Sequence, residues 1–192
     1  MQASGFVLAG GRSQRMGRDK GLLPYGGATL VEYVARTVCD VVGSVTLIGD
    51  PAKFGHLGLP VLPDEVPGCG PASGICTALR ASATDWNLIL ACDMPGINTG
   101  VLRELLGAAE TAEGNCMAAT GSDGQPEPLC AVYHRRCLPA LSRAIRDKRL
   151  KMKDLLNELG ASLVRVTPAA IANVNTPEEW LEFEGGVPQT KR

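Results

Sequence analysis

An open, mostly parallel α/β sheet in one domain is the fold this sequence predicts, and three observations predict it. Short apolar runs alternate with helix-length patterned stretches along the chain, the rhythm of strand–helix units. Several of those runs are apolar almost throughout, as strands buried on both faces are. With 192 residues, 45% hydrophobic and 20% charged, the chain has the size and composition of one ordinary domain with a sizeable core. Disorder and fibrous architecture are excluded as global descriptions. The domain is expected over residues 1–184, with 185–192 a flexible tail.

The elements follow in order. Gly5–Ala9, Ser44–Ile48, Asn87–Ala91, Asn115–Thr120, Leu129–Tyr133 and Ser162–Val166 read as strands, with a short one at Pro60–Leu62. Thr29–Val42 reads as a helix that Thr29 and Glu32 open as a capping box. A helix begins near Ser73, and Asn98–Ala109 and His134–Arg149 carry helical spacing. Another, around Lys151–Leu159, stops at Gly160, the place of a left-handed C-terminal residue. In the last helix Thr176 is the N-cap, Pro177 suits the first turn and Glu179 completes the box. In sheets of this kind ligands bind beyond the carboxyl ends of the strands.

Charge and cysteine usage narrow the function. Lysine plus arginine total 19 and aspartate plus glutamate 20. That balance disfavours a general nucleic-acid or membrane-surface binder, and no segment approaches the ~20 apolar residues of a membrane span. Seven cysteines with no CxxC pair, and only two histidines, give no zinc-ligand spacing. Most cysteines sit in apolar runs, where they act as small buried hydrophobes. A reduced, cytoplasmic protein is expected.

The 23 glycines and 13 prolines concentrate in strand-end loops. Leu8-Ala9-Gly10-Gly11-Arg12-Ser13-Gln14-Arg15-Met16-Gly17-Arg18-Asp19-Lys20 follows the first strand. Its glycines let backbone N–H groups converge on an anion. Arg12, Arg15, Arg18 and Lys20 add charge, and Lys20 suits a phosphate as a point charge. Neither GxxxxGK[ST] nor GxGxxG fits. A second loop, Leu62 to Ile75, carries Asp64, Gly68, Gly70 and Gly74. Proline makes it rigid while glycine permits close approach, so it can offer a ledge to a flat base, with Asp64 accepting hydrogen bonds. A third, Ala91-Cys92-Asp93-Met94-Pro95, ends a buried strand. One carboxylate there can hold Mg²⁺ if substrate phosphates complete the shell.

LAGGRSxRMGxDK resembles the signature loop of nucleotidyltransferases that join a nucleoside monophosphate to a phosphorylated acceptor. Within them it is most similar to the molybdenum cofactor guanylyltransferases, of the MobA-like NTP transferase family. That resemblance implies a Rossmann-like three-layer sandwich with a mostly parallel, mixed central sheet of the nucleotide-diphospho-sugar transferase type. It implies transfer of GMP from GTP to molybdopterin or its molybdenum-bearing form, with Mg²⁺ and release of pyrophosphate. Carried over, Leu8, Ala9, Gly10, Gly11 and Arg15 wrap the nucleotide, and Lys20 contacts the phosphates. Asp64, together with Gly70 and Gly74 of the GPASG segment that follows it and resembles the family's GPLxG, reads the base. The family usually has a larger aliphatic residue where this chain has Ala72. CDMP matches a CD-x-P magnesium motif, which makes Asp93 the metal ligand and, with Lys20, the catalytic pair.

Toward the C-terminus, Glu127-Pro128-Leu129-Cys130-Ala131-Val132-Tyr133 resembles the family's strand near the acceptor, preceded by a polar turn, Gly121 to Pro126, that is a candidate mobile rim. Basic residues from Arg146 to Lys153 stand as either a solvated face or an acceptor-steering cluster, with Arg149 assigned to the acceptor. Asn173 and Asn175 alternate on an extended segment and so share a face, which makes them candidates for hydrogen bonds to the pterin. Implied partners are GTP, molybdopterin, other cofactor-biosynthesis proteins and recipient molybdoenzymes, with no nucleic acid and no membrane. Cytidylyl transfer, a related transferase on another phosphorylated acceptor, and a GTP-binding module without chemistry stay open as alternatives.

Overall fold

A computed structural model describes residues 1–10, 20–176, 179, 180 and 183. Gly11, Arg15 and the tail 185–192 lie outside the described residues. In chain order the elements are β1 (Ala3–Leu8), β2 (Pro24–Tyr25), β3 (Ala28–Thr29), α1 (Leu30–Val42), β4 (Val45–Ile48), α2 (Pro51–Phe54), β5 (Val61–Leu62), α3 (Pro71–Ala81), β6 (Trp86–Ala91), α4 (Thr99–Thr111), β7 (Cys116–Thr120), β8 (Pro126–His134), α5 (Leu138–Arg146), α6 (Met152–Glu158) and β9 (Ser162–Arg165). A seven-stranded sheet runs in the order β5-β4-β1-β6-β8-β7-β9, while β2 and β3 form a separate hairpin. Within the seven-stranded sheet β8 alone runs against its neighbours; the other pairings there are parallel.

Alternation along the central strands fills two apolar layers. Val7, Leu88 and Leu90 pack with α1 and α4 through Val34, Val38, Leu102 and Leu105. Phe6, Leu8 and Ile89 face α3, α5 and α6 through Ile75, Leu79, Leu141 and Leu155. Burial on both faces is what the near-continuous apolar runs require. No helix among the described residues is long and apolar enough to cross a membrane. Cys76, Cys116, Cys130 and Cys137 are buried. Burial pushes their thiols up, that of Cys137 to about 12, which suits packing rather than reactivity.

The capping signals take shape as structure. Glu32 accepts hydrogen bonds from the Thr29 backbone N–H at 2.8 Å and the Thr29 hydroxyl at 2.6 Å. These bonds hold its carboxyl below the usual range. Gly160 adopts φ 63° at the end of α6, as its place predicts. The expected helix from His134 to Arg149 is corrected: His134 ends β8, a single 3₁₀ turn spans Arg135–Cys137, and α5 covers only Leu138–Arg146. His134 caps that turn by accepting from the Arg136 N–H. Pro139 then sets the first turn of α5, and Lys148 leaves the helix at φ 55°.

The expected strand Leu129–Tyr133 is longer, Pro126–His134, because it contains a bulge. Between the pairs Ala118–Ala131 and Ala119–Glu127, one step along β7 meets four along β8. The fully buried Tyr133 hydroxyl donates to the Pro128 carbonyl at 2.8 Å and so satisfies a group freed by the bulge. Tyr133→Phe removes that donor from the core. It should lower the unfolding free energy by about 1–3 kcal/mol, read in urea as a lower midpoint with unchanged slope.

Candidate active site at the strand carboxyl ends

Strand order reverses at β1. The chain steps from β1 out to β4 and β5, then returns to lay β6 on the other flank. A crevice opens at such a reversal, beyond the carboxyl ends. The Cys92 N–H donates to the Leu8 carbonyl at 3.1 Å and ties the two rims together. Leu8 and Ala9 are buried, and Ala9 N–H is held by the Ile48 carbonyl at 2.8 Å. Gly10 then stands exposed, and among the described residues beyond its chain neighbours no atom lies within 4 Å of the place a Cβ would take.

Lys20 re-enters above this crevice in a short 3₁₀ turn. Its Nζ lies 3.6 Å from Asp93 Oδ2 and donates to Asn175 Oδ1 at 2.6 Å. The two charged side chains keep only 16% and 22% of their surface in water. Burial raises the Asp93 carboxyl from its ordinary value, and the Lys20 ammonium opposes that rise. A largely desolvated ammonium at a strand end attracts an anionic substrate more strongly than the same group in water, and the carboxylate beside it suits a cation shared with that substrate.

The loop behind Asp93 is pinned from three sides. Tyr25 and Tyr33 donate their hydroxyls to the Pro95 and Ile97 carbonyls at 3.1 and 2.7 Å. The Val174 N–H donates to the Asp93 carbonyl at 3.0 Å. At Gly96 a Cβ would stand 2.1 Å from the Ala169 carbonyl oxygen, so only glycine lets these two backbones meet. These contacts set both Asp93 and the segment that carries Asn173 and Asn175. Val174 between them is buried. The Asn175 and Thr176 N–H groups cap onto Glu179 Oε2, while Glu179 N–H returns to the Thr176 hydroxyl at 3.2 Å. The terminal capping box therefore also positions a candidate ligand group.

Glu127, which the sequence places at the head of the acceptor-side strand without a role of its own, completes the cluster. Glu127 Oε2 accepts from Asn173 Nδ2 at 3.3 Å, and Oε1 accepts from the Leu129 N–H inside the bulge at 3.2 Å. Burial raises its carboxyl, and the Asp93 charge adds to that rise. The polar turn before β8 could have flagged Glu127, but nothing in strand periodicity shows a bulge aiming it toward Asp93.

Asp64 lies at the other end of the edge, just past β5. Its Oδ1 accepts from the Val66 N–H at 3.2 Å, the Thr77 hydroxyl at 3.5 Å and the Ser73 hydroxyl. None of these bonds uses Oδ2. Gly70 begins α3 at φ 62°, ψ −155°, a region essentially reserved for glycine. Gly74 is a packing glycine: a Cβ there would stand 2.7 Å from Leu8 Cδ2, so its absence lets α3 lie against β1. Arg149 is not brought to the crevice. Its guanidinium pairs with Glu158 at 2.6 Å and Asp147 at 3.8 Å on the exposed α5–α6 connection.

Among the described residues no group of three His, Cys, Asp or Glu side chains is placed to hold a metal. Asp93, a single carboxylate at a strand end, suits an ion that draws its remaining ligands from substrate and water, a donor set that fits Mg²⁺.

The raised Glu127 carboxyl has a stability signature in the ligand-free protein. The folded chain keeps this proton where the unfolded chain has already lost it. The group therefore costs stability as pH rises from about 4.5 through its higher native value. Glu127→Gln lacks this titration. Its unfolding free energy relative to the unaltered chain should climb across that window and level off toward neutrality; a constant difference in urea melts contradicts the assignment.

Residues 5–163 match the MobA-like NTP transferase domain. A Pelotomaculum thermopropionicum protein named "Probable molybdenum cofactor guanylyltransferase" is 35% identical over 95% of this chain and 92% of its own length. The molybdenum cofactor guanylyltransferase of Serratia proteamaculans is 30% identical, over 95% and 94%. Among solved structures, molybdopterin-guanine dinucleotide biosynthesis protein A from Archaeoglobus fulgidus superposes with a TM-score of 0.80 at 25% identity, covering 95% of this chain and 97% of that one. The overall fold is thus shared with a solved structure, and the chain belongs to the MobA-like NTP transferase family.

Proposed function

We propose that this chain transfers GMP from GTP to molybdopterin or its molybdenum-bearing form and releases pyrophosphate. The observation that carries this reading is the convergence of Lys20, Asp93 and Asn175 above the β1–β6 crevice. The names of the relatives support the guanine nucleotide and the acceptor. Leu8, Ala9 and Gly10 would border the nucleotide, with Gly11 and Arg15 of the same loop on its triphosphate. At the β5 flank, Asp64 Oδ2 and the backbone around Gly70 would meet the base. Arg149 is retained only as a long-range attraction for the acceptor phosphate, since two carboxylates already hold it.

In the reaction an oxygen of the acceptor phosphate attacks the α-phosphorus of GTP. The new O–P bond forms as the bond from that phosphorus to the bridging oxygen of pyrophosphate breaks. Mg²⁺ held by Asp93 and the phosphates would neutralise charge on the transferring and leaving oxygens. Lys20 supplies a fixed positive charge at the same place, already desolvated and in position before substrate arrives. The acceptor phosphate is largely ionised near neutrality, so no side chain has to remove a proton. Catalysis is then mainly positioning and electrostatics. A cytoplasmic setting, beside the proteins that build and receive the cofactor, suits this chemistry.

Pyrophosphate release measured with each of the four NTPs, with molybdopterin supplied, tests the reading. GTP should exceed CTP by at least ~100-fold in kcat/KM. A CTP preference overturns the guanine assignment, and GTP binding without release by any NTP favours a module without chemistry. Asp93→Ala should lower kcat by about 10²–10³-fold; an unchanged kcat removes Asp93 from the metal role.

A further inference from the structure

Glu127 is a half-buried carboxylate with an unusual set of neighbours. Each oxygen accepts one hydrogen bond, from Leu129 N–H and from Asn173 Nδ2, and both donors are neutral. No ion pair to Glu127 occurs among the described residues. Lys153, whose charge reaches it, donates instead to Gln125 Oε1 at 2.8 Å. The negative charge of Asp93 acts on Glu127 from the crevice side. A carboxylate has about four acceptor positions, so one on each oxygen is left over. Both oxygens are anchored, so the group cannot swing out to water without breaking the bulge contact or the amide contact.

Asn173 reinforces this geometry. Its amide nitrogen faces Glu127, and its Oδ1 is a buried oxygen with no hydrogen-bond partner among the described residues. Buried polar atoms are rarely left in this state unless a ligand or water completes them. The site thus offers open acceptor positions on Glu127 and on Asn173 Oδ1. It lies on the β8 side of Asp93, across the phosphate crevice from Asp64 at the β5 edge.

We propose that Glu127 is an acceptor-recognition residue, whose anchored carboxylate takes the paired N–H donors of a 2-amino-4-oxopyrimidine ring edge such as a pterin's. Two parallel N–H groups match the two oxygens of a carboxylate, the bidentate arrangement that gives both strength and direction. Asn173 is the positioning residue that keeps the carboxylate in register. A ring bearing a carbonyl in place of the 2-amino group presents an acceptor to an acceptor and is rejected. This inference rests on the acceptor being a pterin, a reading that turnover of GTP with molybdopterin by the unaltered chain tests separately.

Free pterin and lumazine, its 2-oxo counterpart, are the probes, titrated into the full chain by their own fluorescence with GTP affinity measured in parallel. The unaltered chain should bind pterin at least about tenfold tighter than lumazine. Glu127→Gln should bring the two within about threefold, because its amide donates where the carboxylate accepted, and leave GTP affinity unchanged. Asn173→Ala, which keeps the carboxylate, should weaken pterin and still prefer it. Equal affinities in the unaltered chain, an undiminished preference in Glu127→Gln, or parallel loss of pterin and GTP binding in that variant each overturn the proposal.

Discussion

The Lys20–Asp93 pair across the β1–β6 crevice is the interaction around which the rest of this molecule is arranged. Asp93 loses much of its hydration at the end of a buried strand, and burial alone would push it toward its neutral form. The ammonium 3.6 Å away opposes that push. Much of the surrounding structure holds that pair at a fixed separation. Two tyrosine hydroxyls, the Val174 N–H and the glycine-only approach at Gly96 all bear on the Asp93 loop. Asn175 in turn accepts from Lys20, so one segment touches both members of the pair.

Topology explains why neighbouring functions can spread sideways from that centre. Parallel strands end together, and the loops after β1, β5 and β6 all open on one edge. Because β8 runs the other way, its beginning rather than its end reaches that edge, which brings Glu127 there. The bulge matters for the same reason, since three extra residues re-aim the strand just past Glu127. On this account the base sits at the β5 flank, the phosphates in the middle and the acceptor at β8. The acidic groups at the two flanks then differ in duty: Asp64 is tied into the first turns of α3, while Glu127 keeps acceptor positions to spare.

Much of this could be read from residues alone, where local chemistry decides. Thr29 with Glu32 and Thr176 with Glu179 carry their capping geometry in four letters. The apolar runs mark central strands because both faces are covered. Asp93 and Lys20 could be paired only through a resemblance, since the 72 intervening positions say nothing of a 3.6 Å contact. The stretch from Glu127 is legible as acceptor-side through the resemblance, but the aim of Glu127 itself is not, because a bulge changes register without changing composition. The helical spacing from His134 onward misled, because strand, turn and helix there share one amphipathic pattern, and Pro139 marks where the helix truly begins. Arg149 looked available as a cation, yet its partners Asp147 and Glu158 are both nearby in sequence and capture it.

If Asp93 and the nucleotide phosphates hold a divalent ion jointly, metal and nucleotide must help each other bind, and that help must pass through this carboxylate. Calorimetric titration of GTP with and without Mg²⁺, on the unaltered chain and on Asp93→Asn, measures this coupling directly. The account predicts that Mg²⁺ tightens GTP binding to the unaltered chain by about tenfold or more, and that the gain disappears in Asp93→Asn. An equal gain in both proteins would contradict it.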